Sequence, residues 1–198
     1  MRKLWLGALV LSSSMLGSAA AARDWGTFSG WEVSSNDDEH SCYLGREHEG
    51  PGSTVMGLGT NLDQKRTTMF VANYNWTVKE DEVVKIAMRL DGVTGYVYTG
   101  NAVGFSSDGR NGLAIGMNDP DFLRDFAKAS GIKFFKVEGD EKKPTLTVVD
   151  YLNLDGTQAT VAAFQRCVAH ERSLIAADQR ERDRWKAIPD DPFHKDPN

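Results

Sequence analysis

The chain lacks most of the features that quickly assign a function. It has only two cysteines in 198 residues, so neither a disulfide-dense scaffold nor a close-spaced C-x-x-C redox pair is available. Basic residues are outnumbered, 23 Lys and Arg against 28 Asp and Glu, for a formal net charge of −5. That balance argues against sequence-independent nucleic-acid binding, which needs basic patches. Beyond the N-terminus no stretch is long and apolar enough to span a bilayer, which takes roughly 20 residues. Glycine, by contrast, is plentiful at 19 residues, and predicts many turns.

What is present begins at the N-terminus. Met1-Arg2-Lys3 is basic, Leu4 to Leu11 is apolar, and a Ser/Gly/Ala-rich stretch ends at Ala20-Ala21-Ala22 before Arg23. This is the layout of a secretory signal peptide, residues 1–22, with small residues at −3 and −1 of a cut after Ala22. An uncleaved anchor is the alternative, disfavoured by the weakly apolar second half. Cleavage leaves 176 residues, one domain in size, with net charge −7. The expected location is periplasmic or secreted, with no transmembrane segment in the mature chain. In an oxidising space Cys42 and Cys167 are expected to form one structural disulfide, two free buried thiols being the alternative. Closing a loop of 125 residues stabilises by roughly 4–5 kcal/mol in chain-entropy models, less any strain.

Strand-like alternation dominates from Trp31 to Leu154. Val84, Ile86, Met88 and Leu90 alternate with Lys85, Ala87 and Arg89, one set facing a core and the other facing water. Asp91-Gly92 signals a hairpin turn into Tyr96-Val97-Tyr98. Further strands are expected at 31–35, 42–47, 55–59, 67–72, 76–78, 113–117, 132–137 and 146–154. Asn118-Asp119-Pro120 predicts the start of a first helix with Phe122, Leu123, Phe126 and Ala129 on its apolar face. A second helix follows Asp155-Gly156, capped by Thr157, with Val161, Phe164, Cys167 and Val168 along one side. Residues 23–170 are read as the β-rich globular domain, 171–188 as a charged helical extension, and the proline- and aspartate-rich 189–198 as a disordered tail. The expected fold class is mainly β (α+β): an antiparallel β-sandwich or barrel-like sheet with two packed helices.

Chemical motifs are near-misses. Gly104 to Arg110 has phosphate-loop spacing without its Lys and Ser/Thr, and reads as a flexible turn. Gly57-Leu-Gly59 lacks a third glycine for a dinucleotide fingerprint. His40, Cys42 and His48 combine possible metal ligands, but Cys42 is expected in a disulfide, so no metal and no cofactor is assigned. His170-Glu171 lacks a second histidine four residues on, since Leu174 stands there. Asp150 falls on the apolar face of an alternating run, where an unpaired acid is costly. It is read either as a pKa-shifted acid in a cleft or as marking a β-bulge that returns it to water. Trp76, Tyr96 and Tyr98 form a candidate binding surface for an envelope protein or glycan, the alternative being that they complete a core or cover an edge.

The order of features resembles the invasion-associated locus B family of small bacterial envelope proteins over residues 24–170. The residues that carry the likeness are Gly30-Trp31-Glu32-Val33, Cys42, Asn75-Trp76-Thr77-Val78, Asp91-Gly92, and the closing segment from Leu152 to Cys167. The resemblance implies a β-rich, sandwich-like exported protein without known catalytic residues, and a link to host interaction. The family's further cysteines are absent, with Ser34-Ser35 near the place of one and none in mid-chain, so its disulfide pattern does not carry over. The reading is therefore an exported, non-enzymatic envelope protein acting as a protein- or glycan-binding or structural module. The alternatives are an inhibitor-like module presenting residues 104–112 to a cell-wall hydrolase, and a hydrolase using Asp150.

Overall fold

The computed structural model describes residues 22–95, 97–139 and 143–186. The expected leader as far as Ala21, residues 187–188 of the expected helical extension, the expected tail 189–198 and Tyr96 lie outside the described residues. Ten strands run β1 (Ala22–Phe28), β2 (Trp31–Asn36), β3 (Ser41–His48), β4 (Thr54–Asn61), β5 (Arg66–Asn73), β6 (Val83–Asp91), β7 (Val97–Ser107), β8 (Arg110–Met117), β9 (Gly131–Glu138) and β10 (Thr145–Asn153). A short helix α1 (Phe122–Phe126) precedes β9, and a 30-residue helix α2 (Thr157–Lys186) closes the chain. All pairings are antiparallel, in one sheet ordered β1-β2-β3-β4-β5-β8-β7-β6-β9-β10. This is the mainly-β, α+β class expected from the sequence.

The sheet is open, since β1 and β10 are its two edges, but it curls until its ends meet. The Trp31 indole on β2 donates to the Asp155 carbonyl beyond β10 at 3.0 Å, and Arg46 on β3 reaches the same oxygen at 3.3 Å. Thr54 on β4 donates to Asp150 on β10 at 2.7 Å. The concave face holds one core containing Trp31, Leu44, Met56, Met69, Ile86, Met88, Phe134 and Leu152, covered by Phe122, Phe126, Val161 and Phe164 of the helices. Trp31 is fully buried and packs edge-on to Phe126, its polar atom satisfied by the Asp155 carbonyl. The period-two reading of β6 holds for Ile86, Met88 and Leu90, which are buried, and for Lys85 and Arg89, which are exposed. Ala87, expected to face water with them, is instead buried at 4% exposure, and Val84 is half-buried.

Four local expectations are corrected. Residues 76–78 are not a strand: Asn73 turns the chain by accepting from the Asn75 amide at 2.7 Å, and the Trp76 carbonyl is taken by Asn111 at 2.7 Å. Residues 104–110 are not a flexible turn, because β7 continues through Ser107 and only Asp108-Gly109 turns, both with positive φ (51° and 77°). The first helix begins after Asp121 rather than after Asn118. Thr157 is itself helical, and its hydroxyl donates to the Phe126 carbonyl at 3.2 Å, tying α2 to α1. The charged segment from Glu171 continues α2 without a break as far as Lys186, and β1 is a strand the pattern did not announce.

Candidate functional site

Three arrangements on the sheet carry chemistry. The first is built where α2 crosses β2 and β3. Cys42 and Cys167 form a disulfide with Cα atoms 6.1 Å apart, in line with the expectation from their count. Cys167 and Glu171 are one helical turn apart, so the face that buries Cys167 also buries Glu171. Glu171 is fully buried. Its Oε2 lies 3.3 Å from His40 Nδ1, while its Oε1 has no hydrogen-bond partner. Asp37 comes from the 3-10 turn Asp37–Glu39 after β2, and one of its carboxylate oxygens accepts from Ser35 at 2.9 Å. The Ser35 hydroxyl in turn accepts from the Trp25 indole at 3.2 Å.

Ligand-type atoms of Asp37, His170 and Glu171 lie within 4.8 Å of one another. The Arg23 guanidinium stands beside them, 2.9 Å from His170 Nε2. Burial, the largest influence, pushes the Glu171 carboxyl above the usual carboxylate range; His40 opposes that shift and Asp37 adds to it. The His40–Glu171 contact is an ion pair only when His40 is protonated.

The second arrangement lies at the other end of β3. His48, Thr54 and Asn73 stand in register on the concave side of β3, β4 and β5. Asn73 Nδ2 donates to Thr54 Oγ1 at 2.8 Å, and Thr54 Oγ1 donates to Asp150 Oδ2 at 2.7 Å. A bulge does occur at Val149, but its effect differs from the expectation. It places Leu146 and Val148 on the convex face and keeps Asp150 half-buried on the concave side with Leu152, instead of returning it to water. Asp150 is thus paired, accepting also from the Tyr151 amide at 2.8 Å. His48 is buried edge-on to Trp31, and its Nε2 has no partner. Burial first and the Arg46 charge second lower its pKa to about 4, against an opposing pull from Asp150. Thr54 gives its proton to a carboxylate rather than to the imidazole, so the geometry is a clamp across the sheet ends, not a nucleophile activated by a base. His40, Cys42 and His48 do not form one ligand set: Cys42 is bonded to Cys167 and His40 faces Glu171 in the first arrangement, while His48 lies in the second against Trp31.

The third arrangement is the convex face. Over β3, β4, β5 and β8 it is paved with glycine and covered by aromatic rings. Phe70 lies across Gly57, where an added Cβ would stand 2.3 Å from its ring, and Phe105 covers Gly112 in the same way at 2.5 Å. Over β7, β6, β9 and β10 the face is mixed, with exposed aliphatic side chains standing among Lys85, Arg89, Thr99, Asn101, Lys133 and Tyr151. Val83, Val97, Val103, Leu146 and Val148 are each between 42% and 64% exposed. Of the aromatics singled out by sequence, Tyr98 faces the concave side half-buried, with its hydroxyl donating to the Gly116 carbonyl at 3.2 Å. Trp76 is half-buried against the core. Residues 104–112 form a hairpin held by Arg110, which stacks over Tyr74 at 4.2 Å and pairs with Glu47 at 2.5 Å.

Glu171 is a site residue that the sequence pattern alone does not single out. The signal was its place four residues after Cys167 on a face otherwise made of Val161, Phe164 and Cys167, where a carboxylate is out of character.

An open, curled antiparallel sheet closed by one long helix defines the structural class. Within it, the chain is similar to the crystal structure of invasion associated protein B from Bartonella henselae, with a TM-score of 0.51 and 10% identity. The match covers 74% of this chain and 97% of that one, and it establishes the likeness of fold that the sequence resemblance anticipated. No family model and no curated protein matches the sequence.

Proposed function

We propose that the chain is an exported, non-enzymatic bacterial envelope module that binds a protein partner through the convex face around β10. The observation that carries this reading is the exposure of Leu146 and Val148 on the edge strand β10, on the same face as exposed Val83, Val97 and Val103. Two neighbouring exposed aliphatic side chains on an unpaired strand edge are a place where a partner strand can bury apolar area. The partner presents an extended segment: β10 is an edge strand, and pairing with Thr145–Val148 would cover Leu146 and Val148 while filling backbone hydrogen bonds. The N-terminal leader pattern and the disulfide support export. Among the described residues no helix is long and apolar enough to cross a membrane. Likeness in fold to a protein named as invasion associated supports a role in host contact.

The test is crosslinking capture from the envelope fraction with the wild-type protein and with Leu146→Asp/Val148→Asp. A saturable partner that the double variant no longer captures, at unchanged melting temperature, supports the reading. Equal capture by both proteins removes this surface.

A further inference from the structure

Glu171 is the least expected side chain in the protein. A carboxylate with no solvent exposure needs each of its oxygens satisfied, yet Oε1 has no hydrogen-bond partner. Around it are a second carboxylate, Asp37, and the His170 imidazole, with ligand-type atoms mutually within 4.8 Å. Two facing carboxylates in a buried place repel unless a proton or a cation stands between them. The Arg23 guanidinium at His170 shows that positive charge is already accommodated there.

We propose that Asp37, His170 and Glu171 bind a divalent transition-metal cation, with zinc the best match. The donor set of one imidazole and two carboxylates suits zinc, which takes nitrogen and oxygen ligands at roughly 2.0–2.2 Å and tolerates an open fourth position. Ligand atoms around tetrahedral zinc stand roughly 3.4 Å apart, so the cluster closes by no more than about 1.5 Å on binding. The supporting shell is in place. His40 Nδ1 faces Glu171 Oε2 at 3.3 Å, and the Trp25–Ser35 relay orients Asp37 through bonds of 3.2 and 2.9 Å. Such outer contacts fix ligand orientation and raise affinity. The Cys42–Cys167 bond holds β3 against the turn of α2 that carries His170 and Glu171, so the ligands from separate elements are pre-assembled. With both cysteines in that bond, no thiolate competes for the metal. The cation replaces the Arg23 guanidinium as the positive charge beside His170.

The experiment is zinc titration by calorimetry on the tag-free, oxidised protein, with cobalt substitution to read the coordination sphere by visible absorption. The expected result is one zinc per chain and a cobalt spectrum of low coordination number. Glu171→Gln keeps the shape of the side chain and should weaken zinc binding by roughly ten- to a hundredfold. Asp37→Asn, at a half-buried position, should do the same and decides the question if Glu171→Gln fails to fold. Zinc uptake that is absent from the wild type, or equal in the wild type and the folded variants, overturns the proposal.

Discussion

The two polar clusters on the concave side differ in how their hydrogen bonds close. At His48 the carboxylate is satisfied: Asp150 accepts from Thr54 and from the Tyr151 amide, and Thr54 accepts from Asn73. The atom left over is an imidazole nitrogen, which the protein tolerates by keeping the ring neutral. At Glu171 the atom left over is a carboxylate oxygen, in a side chain whose ligand-type oxygen lies within 4.8 Å of one from the Asp37 carboxylate. A neutral nitrogen without a partner costs a lost hydrogen bond, whereas an uncompensated buried charge costs far more. The first cluster is therefore complete as a clamp between the two ends of the sheet. The second is completed only by a proton or a cation, and only the second is anchored by a covalent bond.

Removing that anchor should have the largest effect. Cys42→Ala with Cys167→Ala releases a loop spanning 125 residues and should lower unfolding free energy by roughly 4–5 kcal/mol. Urea denaturation measures the loss, and a midpoint unchanged from the wild type would show that helix packing alone holds α2. The comparison predicts an asymmetry: zinc uptake at Asp37, His170 and Glu171 disappears with the disulfide, while the clamp at Thr54 survives.

Acid should act next, through His48. Its pKa is about 4 in the folded protein against an ordinary 6.5. The depressed value means that the unfolded chain takes up a proton below about pH 6.5 while the folded protein stays neutral. This contribution to stability is fully present above that pH and is lost progressively toward pH 4. The whole window is worth up to about 3 kcal/mol. His48→Phe keeps a ring against Trp31 and should flatten the pH profile between those limits. A profile as steep as the wild type's would assign the acid sensitivity to other groups.

A single methyl-for-hydroxyl exchange tests the clamp itself. Thr54→Val leaves an Asp150 oxygen and an Asn73 amide hydrogen without their shared partner. The expected cost is about 1–3 kcal/mol, read as a lowered melting temperature. An unchanged melting temperature would mean that water replaces the hydroxyl at no cost and that the sheet ends are held by Trp31 and Arg46 alone.

How much of this the chain announces depends on the range of each interaction. The alternation of residues 84–90 and the apolar face leading to Cys167 are local patterns, and both became the elements they predicted. The turn reading at Gly104 failed because glycine there marks close approach inside a strand: an added Cβ would stand 1.9 Å from the Lys79 carbonyl oxygen. β1 was missed because residues 22–28 have no alternation, and a bulge near Gly26 breaks the little there is. The bulge at Val149 is legible in the local pattern, but the direction of Asp150 is not, since its partner Thr54 lies 96 residues away. Glu171 was in view beside His170, yet its neighbours Asp37 and His40 are contributed by a turn more than 130 residues earlier.

The convex face should respond least in stability and most in binding. Val148 is 59% exposed and opposes Phe135 of β9, so Val148→Asp removes little buried area and leaves the concave core untouched. A change of no more than about 0.5 kcal/mol is expected at such a position. Partner capture should nevertheless fall, because an aspartate in the middle of an apolar contact is desolvated without a counter-charge. A variant that loses more than that in stability would show β10 to be held by its convex side chains as well as by Asp150. The aliphatic surface would then be part of the fold's own support, and the polar clusters would be left as the places where this protein meets its ligands.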